Sequence, residues 1–377
     1  MKKIKIFAVP SHGNEERVQG VDFARIIQPM EFLNGYSDGE VKFEVKIFDI
    51  EAVKLTAKIS KEEQSKLGFD WETVAKNYDI VYFNYMANPW QFAAMGAMVR
   101  KYNKIIVLDV DDALWNVLPD NLSAYEAWKP GSDNIRNFNS ICNEVDYITV
   151  TNRYLKNVVL NNTDKTSDKV IIFPNYIDLT LYSHRSKFKD DGQIQLTHFG
   201  SGTHFISLEE KEFVSGIDRV MKEYPNVTFK TVGAHKSAFK MKWGKRYDHA
   251  FGAMDIYEWV RDKFPTFMDE TDIMVVPLTD NIYNRAKSSI KFIESASAKK
   301  PGVWQNIRQY QEVIKDGENG FLAKTAKEWH ESIKALIDDA YFRRKAGEAA
   351  FKTMEDNWQM KDHTIDYADF FKSILTR

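Results

Sequence analysis

Apolar residues fall in short runs separated by longer amphipathic segments. The runs in the first half are IKIFAV (4–9), VKFEVKIFDI (41–50), DIVYFNYM (79–86), KIIVLDV (104–110), DYITVT (146–151) and KVIIFPN (169–175). Short runs of this kind, bounded by polar residues, read as strands of a parallel sheet covered on both faces. Segments 21–34, 91–102 and 152–161 supply the helical crossovers that parallel pairing needs. After FPNYIDLTLY the polar stretch SHRSKFKDDGQ (183–193) reads as a linker. The alternation then restarts with IQLTHFG (194–200), a helix near 208–223, VTFKTVG (227–233), DIMVVPL (272–278), a helix near 287–299 and PGVWQ (301–305). A charged helical tail fills 326–377. The pattern predicts an α/β protein in two halves, each built on its own parallel sheet.

Composition agrees with two domains. A chain of 377 residues exceeds one ordinary core, and 44% hydrophobic with 14% aromatic residues can fill two, which argues against intrinsic disorder. Lys+Arg 52 against Asp+Glu 54 leaves a formal net charge of −2, so any nucleic-acid contact must come from a local patch. The single Cys142 cannot form an internal disulfide, which fits a reducing compartment. The opening MKKIKIFAVP is basic, but its apolar run is too short and interrupted for a signal peptide. No stretch approaches the ~20 apolar residues of a membrane span. The sequence therefore reads as a soluble, cytoplasmic protein.

Ligands of parallel α/β sheets gather beyond the carboxyl ends of strands. GSGTH (200–204) directly follows the first strand of the second half, and its small residues would let the backbone approach a diphosphate. A turn that merely closes the strand is the alternative. A second candidate is DIMVVPLTDNIYNRAKSSIKFIESASAKKPGVW (272–304). Here a buried strand runs into a loop with Asn284, Arg285 and Lys287, and a helix is expected to begin around the natural N-caps Ser288 and Ser289. Lys287 and Lys291 lie four apart and share a face near that start. Cations and free N–H groups together suit a pyrophosphate, above all one gaining charge as a leaving group. Glu294, two turns in, would accept hydrogen bonds from a ribose. The same charges also read as a solvated basic face.

The first half offers other chemistry. VLDVDDALWNV (107–117) sets Asp109, Asp111 and Asp112 at a strand end. Acid pairs spaced D-x-D hold a divalent metal beneath a sugar nucleotide, whereas aspartates in that position also make turns. Trp115 follows as an acceptor-site wall or as core. The long loop PSHGNEERVQGVDFARIIQP (10–29) is placed to border a site. Within it His12 is a candidate general base, Arg25 a candidate phosphate or acceptor contact, and Gly20 a point of close backbone approach. HKSAFKMKWGKRYDH (235–249) interleaves Lys236, Lys240, Lys242, Lys245 and Arg246 with Phe239, Trp243 and Tyr247. Such a run can track a phosphate backbone and stack on a base, or form a solvated helix with a buried aromatic side.

In this order the segments resemble the GT-B glycosyltransferases, particularly the large retaining group that includes sucrose and glycogen synthases and many bacterial sugar transferases. PLTDNIYNRAKSSIKFIE followed by DGENGFLAKTAKEW (316–329) is similar to the donor-binding region of a bacterial and phage branch. That branch also carries patterns like FGSGTH, FPNYID (173–178) and an aspartate-rich strand end followed by Leu-Trp. The likeness runs over about the whole chain. It implies a GT-B fold of two Rossmann-like domains facing an interdomain cleft. The acceptor-side domain would span 1–180, the nucleotide-sugar domain 194–355, and a C-terminal helix at 356–377 would cross back to the first.

Through the same resemblance, a nucleoside-diphosphate sugar, by preference a UDP-sugar, would be bound by Gly200, Ser201, Gly202, His204, Asn284, Arg285, Lys287, Ser288, Lys291 and Glu294. The metal-holding D-x-D motif belongs to the other glycosyltransferase fold, so no metal is expected. Asp109, Asp111 and Asp112 then face the interdomain cleft and hold acceptor groups or loop backbone, with Gly20, Arg25, Trp115, Lys240, Lys242, Trp243 and Lys245 also on the acceptor side. Retaining GT-B enzymes let the leaving phosphate take the acceptor's proton, so His12 and Asp111 would position rather than abstract. One departure stands out. The group carries two glutamates eight positions apart; Glu294 fills the second, while Ala286 stands at the first. The Lys-, Ile-, Phe-, Tyr- and Asp-rich composition also resembles proteins of large tailed phages, some of which glycosylate hydroxymethylated pyrimidines in their DNA. Double-stranded DNA is thus the favoured acceptor, with a bacterial or lipid-linked glycan as the alternative. A non-catalytic two-domain ligand-binding protein is the alternative of another class.

Overall fold

The apolar runs become strands. In the first half they are Lys2–Val9 (β1), Val41–Ile47 (β2), Ile80–Asn84 (β3), Ile105–Val110 (β4), Tyr147–Val150 (β5) and Val170–Ile172 (β6). They pair in parallel in the order β2-β1-β3-β4-β5-β6. Every residue of β3 and β5 is buried, so the sequence shows continuous apolar runs there rather than alternation. This is a computed structural model, and it describes residues 1–10, 20–48, 70–84, 89–121, 124–182, 188, 191–200, 206–233, 237–250 and 256–376.

A second six-stranded sheet holds Ile194–Gly200 (β7), Val227–Gly233 (β8), Tyr247–Ala250 (β9), Ile273–Val276 (β10), Gly302–Gln305 (β11) and Phe321–Ala323 (β12). Its order is β12-β11-β10-β7-β8-β9, again parallel. The order reverses between β7 and β10, the arrangement of a nucleotide-binding doubly wound sheet. Two of these strands carry no clear signal in the sequence. β9 is an edge strand in which only Tyr247 of its four residues is fully buried, and β12 is a three-residue edge.

The chain divides into two compact units. The first contains 1–115, 130–176 and 360–377, and the second contains 116–129 and 177–359. Residues 116–129 thus belong to the second unit, although strand spacing alone assigns them to the first half. Within the first unit the helix Met360–Ile374 lies along strand residues: Tyr367 stacks on Phe173 at 4.0 Å and Phe371 meets Tyr82 at 5.8 Å. Lys372 also pairs with Asp38 at 2.5 Å. Among the described residues no helix is long and apolar enough to cross a membrane.

Helix boundaries follow local chemistry. Thr325 and Glu328 form a reciprocal capping box that starts the helix Ala326–Asp338. The segment expected as a helix at 21–34 is helical, but Phe23–Ile27 is wound as a π-helical turn. In the second unit Gly347 allows the helix Ala340–Asn357 to lie against the turn that ends the helix Ile290–Ser297. A Cβ at 347 would fall 2.1 Å from the Lys299 carbonyl oxygen and 3.2 Å from Pro301 Cδ. Gly347→Ala is therefore expected to lower stability by about 1–3 kcal/mol through overpacking. A urea midpoint equal to that of the unsubstituted chain would contradict this close approach.

Candidate functional site

The switch point of the second sheet brings the carboxyl ends of β7 and β10 side by side, the place where such sheets bind ligands. β10 runs into a braced loop. Asn281 Oδ1 accepts from the Asn284 amide N–H at 2.8 Å and starts the short helix Ile282–Arg285. The buried Asn284 donates through Nδ2 to Thr279 O at 2.9 Å, and its own carbonyl accepts from Gln309 Nε2 at 2.8 Å. Asn284 therefore holds the loop's shape from inside. A shallow cleft beside it is lined by Leu118, Asn121, Ser207, Thr279, Tyr283 and Asn284, among others.

The basic residues sort by environment. Arg285 is bonded to Asp280 through Nε at 2.5 Å and through a terminal nitrogen at 3.1 Å, so its charge is already matched. Lys287 Nζ lies 4.6 Å from the centre of the Tyr283 ring, and Lys291 Nζ lies 5.8 Å from that of Phe199. Phe199 immediately precedes Gly200, which closes β7 in register with Gly233. Lys291 thus ties the start of the helix Ile290–Ser297 to the end of β7. That helix begins at the expected cap: Ser289 stands at its N-cap, though without making a side-chain cap bond, and Ser288 precedes it. The Phe292 N–H donates to the Ser289 carbonyl at 2.9 Å, and the first turn carries the positive end of the helix dipole.

One turn on, Glu294 is buried and its Oε1 accepts from the Tyr182 hydroxyl at 3.2 Å. Burial pushes its carboxyl up to about 7, against the opposing pull of Lys291 and the Tyr182 hydroxyl. His198 on β7, bonded through Nδ1 to Val275 O at 3.0 Å, is pushed down to about 3 by burial and by Lys291. It is therefore neutral at physiological pH and adds no charge to the site.

In the first unit the three aspartates separate. Asp109 is fully buried, with one oxygen on Arg25 Nε at 3.0 Å and the other on a terminal Arg25 nitrogen at 2.7 Å. Thr149 and Tyr82 also donate to Asp109 Oδ1, at 2.5 and 3.1 Å. Arg25 is equally buried and gives its remaining terminal nitrogen to Phe173 O at 2.6 Å and Asn175 Oδ1 at 2.8 Å. The expected acceptor contact for Arg25 is corrected: the guanidinium is an internal brace with no exposed surface. Asp111 and Asp112 lie half-buried just past β4, and the Leu114 amide N–H donates to the Asp112 carbonyl at 2.9 Å. Among the described residues no three His, Cys, Asp or Glu side chains gather as a metal-binding group. Trp115, half-buried, packs on Phe138 with ring centres 5.1 Å apart and donates through Nε1 to Asn139. Gly20 is exposed at the start of the helix Gly20–Asp22.

Residues 209–339 match the family described as Glycosyl transferases group 1. Over nearly its full length the chain is similar to HepE of Anabaena, solved in complex with UDP and glucose. The match covers 97% of this chain and 99% of that one at 14% identity, with a TM-score of 0.66. A glycosyltransferase from Rickettsia africae ESF-5 shares 16% identity over 100% of this chain and 99% of its own, with a TM-score of 0.62. Sucrose-phosphate synthase from Thermosynechococcus elongatus shares 12% over 99% of each chain, also with a TM-score of 0.62. The fold is GT-B. No curated protein matches the sequence.

Within this GT-B chain the basic, aromatic segment at 235–249 differs from its expected role. Phe239, Trp243 and Tyr247 are buried together against Phe229 of β8. Trp243 also donates to Asp218 at 3.3 Å, so its expected use as a stacking platform for a base is corrected. Lys240 bonds Tyr247 O at 3.0 Å, Lys242 pairs with Asp218 at 3.3 Å, and Lys245 is exposed. His12, Ser201, Gly202, His204 and Lys236 lie outside the described residues. Sequence reasoning missed Phe199, Tyr182 and Asn121, which reach the GT-B second unit's strand ends or helix start. Only a three-dimensional register joins them to 284–294, and no spacing rule signals it.

Proposed function

We propose that this GT-B protein is a glycosyltransferase. It binds a UDP-sugar at the carboxyl ends of β7 and β10 and transfers the sugar to an acceptor hydroxyl. The observation that carries the reading is Lys287 and Lys291 at the N-terminal end of the helix Ile290–Ser297, with the buried Glu294 one turn beyond. The stretch that matches group 1 glycosyltransferases contains all three residues. HepE, of the same fold, holds UDP and glucose, which supports a uridine nucleotide here.

In this reading the lysines and the helix start neutralise charge that accumulates on the diphosphate as the sugar–oxygen bond breaks. Glu294 accepts hydrogen bonds from the ribose. With retention, the leaving phosphate oxygen takes the acceptor's proton while the new C–O bond forms on the same face, so no protein nucleophile is needed. Asp111, just beyond β4, orients the acceptor. Ala286, which has no carboxylate, leaves the donor sugar's hydroxyls to be held by neighbouring amides and hydroxyls such as Thr279 and Asn284. A DNA acceptor would have to rely on Lys240, Lys242 and Lys245 without base stacking by Trp243.

Because side-chain cations and a helix start supply the positive charge, turnover is expected to persist in EDTA. Loss of turnover on chelation, restored by Mg²⁺ or Mn²⁺, would assign the diphosphate to a metal instead. The function itself is tested by incubating the chain with a panel of UDP-sugars and acceptors, including glycan oligosaccharides and hydroxymethylated duplex DNA. Mass spectrometry should find one added sugar residue on an acceptor together with released UDP. Nucleotide binding with no release from any donor would identify a ligand-binding protein instead.

A further inference from the structure

We propose that Tyr182 is a positioning residue of the donor site, whose hydroxyl holds the Glu294 carboxylate ready to accept the ribose hydroxyls of the donor nucleotide. The inference rests on the reading of Glu294 as the ribose acceptor. Tyr182 closes the short helix Leu179–Tyr182, 112 positions before Glu294 in the chain. Its ring is buried, with an edge on Phe264 at 5.4 Å, and its hydroxyl lies 3.2 Å from Glu294 Oε1. A phenol donates one hydrogen bond while a carboxylate accepts about four, so the contact fixes the group and leaves acceptor capacity for a vicinal diol.

The contact also bears on which form of Glu294 is present. A buried carboxyl that keeps its proton offers a donor where the ribose needs an acceptor. Burial pushes Glu294 up, and the groups facing it set the balance. Lys291 on its own helix and Tyr182 from the preceding segment favour the carboxylate. Tyr310 from the helix Arg308–Gln311 stands close enough for its own hydroxyl to be held up by burial and by Glu294, with Lys287 opposing. Tyr182 itself is raised well above the ordinary tyrosine range by burial and by Glu294, so it remains a hydrogen-bond donor throughout the physiological range.

The test is a calorimetric titration of the full chain, Tyr182→Phe and Glu294→Gln with UDP-glucose and its 2′,3′-dideoxyribose analogue between pH 6 and 9. A UDP-sugar is used because a terminal phosphate such as that of free UDP titrates near ~6. Affinity of the unsubstituted chain for UDP-glucose should rise with pH as Glu294 loses its proton. Tyr182→Phe keeps the ring against Phe264 but removes a donor that favours the carboxylate, so the midpoint of that rise should move to higher pH. At pH 7 binding of UDP-glucose should weaken about tenfold, and binding of the dideoxy analogue should not change. Equal weakening of both ligands with an unmoved midpoint would reduce Tyr182 to a core residue and leave the Glu294 reading standing. If the unsubstituted chain makes no distinction between the ligands and Glu294→Gln binds UDP-glucose normally, the ribose reading itself fails and Tyr182 falls with it.

Discussion

Lys291→Ala is expected to weaken UDP binding by about 10–100-fold, or roughly 1.4–2.8 kcal/mol, with little change in melting temperature. Two losses add. The first is the cation itself, which lies over Phe199 at the end of β7, where the loop that would hold the diphosphate begins. The second acts through Glu294, because the Lys291 charge is one of the two influences that pull that buried carboxyl back toward its ionised form. Without Lys291 the carboxyl stays protonated to higher pH, and with UDP-glucose, which has no terminal phosphate titrating in this range, the loss should deepen between pH 7 and 6. Arg285→Ala is the internal control: Asp280 already holds that guanidinium, so its removal should reduce affinity far less. Equal affinities for the unsubstituted chain and Lys291→Ala, measured calorimetrically, would remove the diphosphate from this helix start.

Arg25→Ala should destabilise the protein by about 3–5 kcal/mol, because it strands a buried carboxylate. Asp109 has no exposed surface and takes two hydrogen bonds from the guanidinium, while Phe173 O and Asn175 Oδ1 lose their donors in the same substitution. The contacts join the helical segment around Arg25 to the end of β4 and to the chain just past β6, so their loss should also loosen the turn at Asp111 and Asp112. Replacing both charges, Arg25→Met with Asp109→Leu, leaves no buried charge unpaired and should lose less stability than Arg25→Ala alone. Urea unfolding separates this from a binding role. A variant of unchanged stability that fails only in acceptor affinity would return Arg25 to the acceptor site.

The strands were legible because parallel sheets covered on both faces leave continuous apolar runs, and all ten runs became strands. β9 and β12 escaped because short edge strands bury too little to leave a pattern. The basic cluster at 287–291 was legible as a constellation, but its internal distinctions were not. Asp280 lies five positions before Arg285, and nothing in that spacing says that the pair closes while Lys287 turns over Tyr283. Arg25 read as a phosphate or acceptor contact because it was placed within the long loop at 10–29; Asp109, 84 positions away, is what lets it be buried. Trp243 had two readings in sequence, and Phe229 on the neighbouring strand decided for the core. Residues 116–129 joined the second unit through tertiary contacts that no local propensity encodes.

The central claim is that the strand ends of β7 and β10 hold a uridine diphosphate, and the position of UDP in a crystal structure of the complex tests it most directly. The diphosphate should lie at the first turn of Ile290–Ser297 within reach of Lys287 and Lys291, with the ribose hydroxyls at hydrogen-bond distance, about 3 Å, from Glu294. UDP bound instead at the strand ends of the first sheet, or on a divalent metal held by Asp111 and Asp112, would contradict it.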